Sequence, residues 1–407
     1  MNKDSTIGIK TLTGGVTAPG GFVAGGVTCG VRNSGRRDLG LLFSEPGCTA
    51  AAVFTRNVVQ GAPLEITRGA VGSGGVRAVV VNSGYANAAT GRKGFEDAYA
   101  MQAFAASALG IEAGEVAVAS TGVIGEHLPM GKISAGIEAV AAELGRDGAG
   151  FAEAILTTDT RTKEAAVRVE IGGTTVTVGG TAKGSGMIHP NMGTMLAFLT
   201  TDAAVEKGCL QETLSKVTER TFNRVTVDGD TSPSDLAILL ANGAAGGGTL
   251  TLDSPDWSVF ADAVEEVARS LAKEIARDGE GATRLVEVDV EGAEDEASAA
   301  ALAKSIVGSN LVKAAVFGED ANWGRVLTAM GYSGVTFEPN AVDLWFGPVQ
   351  VFADGEPVPH EVAEANAALS SGEVKITARL NEGVASATAW GCDLTYEYVR
   401  INGSYRT

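Results

Sequence analysis

The chain has 407 residues, 45% hydrophobic and 20% charged, enough for one large domain or two ordinary ones and too apolar for disorder. Its 49 acidic against 31 basic residues give a net charge of −18. That excludes a general nucleic-acid surface, because neutralising phosphates takes clustered Lys and Arg.

Glycine, at 55 residues, is about twice its ordinary frequency and predicts many tight turns and close backbone approaches. The longest apolar stretches, such as 195–199, fall far short of the ~20 residues a membrane helix needs. Residues 1–13 carry no basic-then-apolar export signal. Cys29, Cys48, Cys209 and Cys392 form no CxxC pair. Free thiols in a cytoplasmic protein, with no membrane or nucleic-acid partner, are therefore expected.

In chain order, strands are predicted at 77–81 and 116–119. Ile133, Ile137, Val140 and Leu144 recur at helical spacing, with Gly145 as a stop. Alternating valines across Gly172-Gly173 predict a hairpin over 167–178. Leu210, Leu214 and Val217 begin a helix after Cys209, and Phe260, Val264, Val267 and Leu271 mark another within 257–277. Strand-like runs follow at 285–290, 349–352, 374–380 and 396–401. The acidic, Ala-rich stretch 292–303 reads as a linker or surface helix. Strands and helices intermix throughout, so the fold class is α/β with mixed (α+β) sheets. A boundary near Thr283 divides the chain into domains 1–283 and 284–407.

Several familiar chemistries are excluded. The three histidines, His127, His189 and His360, lack metal-ligand spacing. There is no GxSxG elbow and no GxxxxGK[ST] loop. The acidic run 227–235 fails as a calcium loop, with Pro233 in place of the glycine and Leu239 in place of the glutamate; an Asx-rich turn is expected there.

What remains is 183–202, KGSGMIHPNMGTMLAFLTTD. By composition it reads as a loop entering a core strand. Alternatively, Thr194 begins that strand as a nucleophile exposed by chain cleavage. A threonine freed at its amino side carries its own general base, since an α-amine with pKa ~8 can take the proton of its Oγ.

Here the chain resembles the glutamate N-acetyltransferase (ornithine acetyltransferase) family of arginine biosynthesis. The resemblance runs through VVNSGYANAATG (80–91), STGVIGE (120–126), LTTDT (156–160), AKGSGMIHPNMGTMLAFLTTDA (182–203), TVDGDTSPSD (226–235), DGEGATR (278–284), GEDANWGR (318–325) and INGSYRT (401–407). It implies a layered αββα catalytic domain of the aminopeptidase/ornithine acetyltransferase kind, with a smaller C-terminal α/β domain whose tail returns to the site. It also implies self-cleavage between Gly193 and Thr194 into fragments 1–193 and 194–407, assembled as two of each. The family normally has alanine before the threonine. Gly193 adds no bulk at the attacked carbonyl but relaxes the backbone strain that drives an N-to-O shift.

The resemblance assigns Thr194 as nucleophile and Thr121 and Gly122 as the oxyanion hole. Thr157, Lys183, Glu280, Asn402 and Thr407 become substrate contacts, with Thr158 an alternative register for Thr157. A bare Thr-Gly pair is otherwise a turn, and a lysine among glycines is otherwise solvated. For Asn82, Asn87, Asp228, Asp230 and the 322–325 run, buried hydrogen bonding and turns are expected. The implied reaction moves acetyl from N2-acetylornithine to Thr194, releasing ornithine, and then to glutamate. No metal or bound cofactor is required; the family also admits acetyl-CoA as a donor. Two other readings are an N-terminal-nucleophile aminopeptidase or amidase, in which water accepts the acyl group, and an uncleaved amino-acid-binding homologue.

Overall fold

The computed structural model describes residues 8–32, 34–189 and 195–404. Gly193, Thr194 and Thr407 lie outside the described residues. The first sheet is built from β1 (Lys10–Leu12), β2 (Phe22–Val27), β3 (Leu39–Phe54), β4 (Val76–Tyr85), β5 (Val116–Val123), β6 (Lys163–Ile171), β7 (Thr174–Lys183), β8 (Leu196–Thr201) and β9 (Leu236–Ala241). Their order is β1-β6-β7-β8-β9-β3-β4-β5, with β2 on β3.

The hairpin β6–β7 is the one the sequence predicts. Val167 pairs with Val178 and Val169 with Val176. Gly172 (φ 56°) and Gly173 (φ 78°) supply the two left-handed residues of the turn. β8 and β9 run parallel, Leu196 opposite Leu236, and every residue of both is buried. A strand covered on both faces reads as a continuous apolar run, which is why 195–199 lacks alternation.

The long β3 makes two layers from one sheet. Its first part pairs with β4 and its second with β9, and the register shifts between Phe43 and Cys48. Three apolar clusters then stack in order. One joins Leu199 and Leu239 to Leu214 and Leu271 on helices Lys207–Arg220 and Trp257–Arg277. The middle one sets Leu196, Phe198 and Ile238 against Leu42, Val79 and Ala117. The third sets Leu41, Val80 and Val118 against Met101 of helix Gly91–Leu109 and Ile133 and Ile137 of helix Met130–Ala142. Burying each such side chain stabilises by ~1.5–3 kcal/mol relative to exposure. The product is the αββα layering.

A second sheet, of β10 (Leu285–Ala293), β11 (Asp343–Phe346), β12 (Val349–Ala353), β13 (Glu356–Pro357), β14 (Glu373–Arg379) and β15 (Ala385–Cys392), has the order β13-β12-β11-β14-β10-β15. Helix Glu296–Gly308 packs on it through Leu302 and Ile306.

Three sequence expectations need correction. Residues 396–401 are not a strand but part of helix Tyr396–Ser404. Strand propensity reports packing on a half-buried pleat, whereas Tyr396 and Val399 are 84% and 68% exposed. Of the linker or surface helix expected at 292–303 the linker fails and the helix holds: these residues finish β10 and open the helix Glu296–Gly308, whose alanines Ala299 and Ala303 are buried. Nor does Gly145 end the third helix, which stops at Ala142; Gly145 instead exchanges backbone hydrogen bonds with Ala24. Among the described residues no single helix is long and apolar enough to cross a membrane.

Candidate active site

The ends of β5 and β7 meet the starts of β8 and β9 around one cavity of about 140 Å³. That space is amino-acid-sized, below the ~300–1,000 Å³ typical of drug-sized ligands. Thr121, Gly122, Thr157, Thr158, Lys183, Glu280 and Asn402 all line it, as do Met195 and Asp235. Every predicted site residue within the described residues is thus at this one place, drawn from five separate stretches of chain.

Thr121 and Gly122 sit at the end of β5, opposite Ser83 and Gly84 of β4. Gly122 has φ 130°, and a Cβ there would stand 2.3 Å from the Gly84 carbonyl carbon. Only glycine fits at this close approach to β4, and Gly122 lines the cavity beside Thr121. Lys183, the last residue of β7, donates from Nζ to Thr121 Oγ at 3.2 Å. With its oxygen accepting from the lysine, the Thr121 hydroxyl keeps its own proton for an acceptor in the cavity.

Beneath them lies a buried ion cluster that sequence reasoning missed. Lys163 Nζ donates to Asp159 Oδ1 (2.7 Å) and Asp278 Oδ2 (2.6 Å), and the three side chains are at most 4% exposed. Asp159 also accepts from the N–H groups of Thr157 (3.0 Å) and Gly184 (2.7 Å), fixing two cavity segments at once. Burial pushes the Asp159 carboxyl up, but the Lys163 and Lys183 charges and these donors overcome it and hold it well below the usual range. Burial pushes the Lys183 ammonium down, with Asp159 pulling the other way. Asp159 and Lys163 are close in sequence, yet their partner Asp278 is 115 residues from Lys163, a pairing with no local signal.

Asp278 caps helix Trp257–Arg277, and its carbonyl accepts from Ser185 Oγ at 2.7 Å. The next turn carries Glu280, whose N–H bonds to the Ser185 carbonyl at 2.9 Å. The Glu280 carboxyl lies over Gly186, where a Cβ would come within 2.3 Å of its Cδ. Asn402 Nδ2 donates to Glu280 Oε2 at 2.7 Å, so the C-terminal helix closes one side of the cavity. One turn earlier Tyr398 OH donates to Asp228 Oδ2 at 3.2 Å. Asp228 in turn accepts from the N–H groups of Met187 (2.6 Å), Ile188 (2.8 Å) and Asp230 (3.2 Å), the Asx-type turn expected there.

Other expectations of buried bonding hold. Asn82 bonds Tyr85 and Ser120, Asn87 bonds the Gly94 carbonyl, and Asn322 caps helix Trp323–Gly331. The four cysteines are free. No group of three potential metal ligands occurs among the described residues.

The sequence profile of the ArgJ family matches residues 23–407. The arginine biosynthesis bifunctional protein ArgJ of Symbiobacterium thermophilum is 57% identical over 402 residues, covering 98% of this chain and 100% of that protein. Its counterpart in Bacillus subtilis is 50% identical over 400 residues, 98% of each chain. The crystal structure of the ArgJ protein of Bacillus halodurans is 50% identical with a TM-score of 0.51, covering 52% of this chain and 100% of that one. This chain belongs to the ArgJ family.

Proposed function

We propose that the chain is a self-processing acetyltransferase of arginine biosynthesis, carrying acetyl from N2-acetylornithine to glutamate through an ester on Thr194. One observation carries this reading. Side chains from five distant stretches meet at a single amino-acid-sized cavity, and Met195, bonded to Thr194, is in its wall. Residues 1–283 form the catalytic unit, and 284–407 support it and return Asn402 to the cavity.

Cleavage before Thr194 frees an α-amine that takes the proton of its own Oγ. The Oγ attacks the acetyl carbonyl, and the oxyanion forms against the Thr121 hydroxyl and the Gly122 N–H. Lys183, by donating to Thr121 Oγ, keeps that hydroxyl proton turned to the oxyanion. Lys183 also offers a cation to a substrate carboxylate, and Glu280 with Asn402 offers an anion to an ammonium. Thr157 and Thr407 complete the substrate contacts. The solved Bacillus halodurans chain is matched whole by 52% of this one, about the share that residues 194–407 make up. That agrees with working pieces cut near the middle; the proposal holds them as two of each fragment.

The second half of the name bifunctional, as its relatives carry it, fits acetyl-CoA as a second acetyl donor. At about 140 Å³ the cavity admits the acetyl end, leaving the coenzyme body outside. A cytoplasmic site agrees with the four free thiols.

The test is direct. Mass spectra of the purified protein should contain fragments 1–193 and 194–407, with acetyl on the second after exposure to N2-acetylornithine. Glutamate should then remove the acetyl faster than water does. Hydrolysis outrunning transfer would establish the amidase reading instead, and an uncut chain that transfers acetyl would remove cleavage from the mechanism.

A further inference from the structure

Five buried side-chain polar atoms have no hydrogen-bond partner among the described residues. Two of them, Ser234 Oγ and Asp235 Oδ2, are sequence neighbours and both residues line the cavity. The others, on Asp97, Thr218 and Arg224, belong to residues outside its wall. Unpaired buried polar atoms cost free energy, so a pair of them at one cavity calls for something that binds there.

Asp235 immediately precedes β9. Its neighbour Leu236 donates its N–H to the Met195 carbonyl at 3.0 Å, so Asp235 lies abreast of the residue that follows Thr194. It is 2% exposed. Burial raises its carboxyl well above the ordinary range, and Ser232, the Lys183 charge and Thr55 oppose that without overcoming it. That shift favours the protonated acid, and its Oδ2 has no hydrogen-bond partner among the described residues.

Acetyl exchange between two amines needs such a group. The nitrogen of an amide leaves only if it gains a proton, and an amine that attacks an ester must lose one. We propose that Asp235 is a further catalytic residue of this site, giving its proton to the departing nitrogen and recovering one from the attacking amine. The proposal rests on Thr194 as nucleophile.

The steps balance. In the first half the Oγ–C bond forms and the C–N bond breaks; the Oγ proton passes to the Thr194 α-amine and the Asp235 proton to the leaving nitrogen. The product departs as a neutral amine and Asp235 is left a carboxylate. In the second half a neutral amine bonds to the ester carbon and gives its proton to Asp235. The Oγ–C bond then breaks, and the Thr194 ammonium returns its proton to Oγ. No oxidant, metal or further reactant enters.

Two acetyl donors separate this role from a structural one. N2-acetylornithine needs its nitrogen protonated to leave, whereas p-nitrophenyl acetate expels a stable phenolate unaided. Rates of Thr194 acetylation are measured with both, each normalised to the phenolate burst so that only competent sites count. The amide-to-ester rate ratio should fall by about 100-fold in Asp235→Asn, within the range that general acids contribute. Asp235→Ser provides the same ratio should the asparagine variant not fold. A ratio within about 3-fold of the unsubstituted protein would overturn the proposal, because a lost structural role slows both donors alike. An unsubstituted protein that takes acetyl from neither donor would instead overturn Thr194 as nucleophile, and this proposal with it.

Discussion

The two sheets spend their polar residues differently. Around the first, buried charges and hydroxyls line the cavity or lie beneath its wall: Thr121, Asp159, Lys163, Lys183, Asp235, Asp278 and Glu280 are all buried. Beyond residue 284, the buried polar side chains among the described residues are Ser309, Lys313, Asp393 and Thr395. Even these largely serve the first unit. Lys313 donates to the Val227 carbonyl, Asp393 accepts from the N–H groups of Thr283 and Arg284, and Thr395 donates to the Gly281 carbonyl. The second sheet has an almost purely apolar core and keeps its ion pairs on the surface, as Lys375–Asp289 and Arg379–Glu291 illustrate. Buried polarity is costly wherever it is not used. Most of it lies around the first sheet, which fits the proposal of a working unit there and a supporting one beyond it, and substitutions can break or sharpen that division.

The largest effect is expected at Thr194. Thr194→Ala removes the atom that would carry the acetyl group, so both chain cleavage and transfer to glutamate should disappear. Thr194→Ser keeps a hydroxyl and an amine and should retain part of each. Intact mass and a glutamate acetylation assay read the two outcomes. A Thr194→Ala protein that still transfers acetyl would dissolve the site as described.

Next comes Lys163, which touches no cavity surface. Lys163→Met leaves Asp159 and Asp278 facing each other without their cation, and losing one partner of a buried ionic group costs ~3–5 kcal/mol. The Thr157 and Gly184 N–H groups anchored on Asp159 would loosen with it. Denaturant unfolding should register the loss. The pH dependence follows from the depressed Asp159 carboxyl. Such a group contributes stability above its unfolded pKa of ~3.9 and loses it as pH falls through the folded value. Acid should therefore destabilise the unsubstituted protein more steeply below about pH 4 than it does Lys163→Met. Unchanged stability in the variant would mean the cluster is not held as described.

How much of this was legible beforehand differs between the halves. The hairpin β6–β7 and the helix Trp257–Arg277 were readable because a one-face pattern at period 2 or 3.6 is local. The αββα stacking and the cavity residues came through motif resemblance; a Thr-Gly pair at 121–122 is otherwise a turn. The Asp159–Lys163–Asp278 cluster was invisible, since it joins a neighbouring loop and strand to a helix end 115 residues beyond Lys163. The misread helix at 396–401 failed for a related reason. Its apolar residues face outward, and its orientation is set by Tyr398 reaching Asp228 and Asn402 reaching Glu280.

Thr121 tests the working half more gently. In the proposed roles, Thr121→Ala keeps the nucleophile and deletes one oxyanion donor, worth ~2.7–4 kcal/mol of barrier, so turnover should fall by roughly 10²–10³. Binding of ornithine should change far less, because the donor acts on charge that develops only in the transition state. The measurement belongs on protein already cleaved, since the same donor would assist self-cleavage. Equal losses in binding and turnover would reassign Thr121 to substrate contact.

The smallest effect should come from the outer face of the second sheet. Lys375 Nζ lies 2.6 Å from Asp289 Oδ2, but its side chain is 54% exposed. The hydrogen bond to Asp289 raises the Lys375 ammonium above its ordinary value, against a smaller opposing effect of burial. Water and salt screen such a pair, so Lys375→Ala should cost no more than ~1 kcal/mol, and less as salt is added. The sign with pH is opposite to that of Asp159. A raised ammonium contributes its full share below its unfolded pKa of ~10.4, and that share vanishes as pH climbs through the folded value. The variant's deficit, read by denaturant unfolding, should accordingly persist at neutral pH and close in strong alkali. Acetyl transfer should stay at the unsubstituted rate throughout. A Lys375→Ala protein whose transfer to glutamate falls would show that this sheet reaches into the chemistry, and that the supporting half does more than hold Asn402 in place.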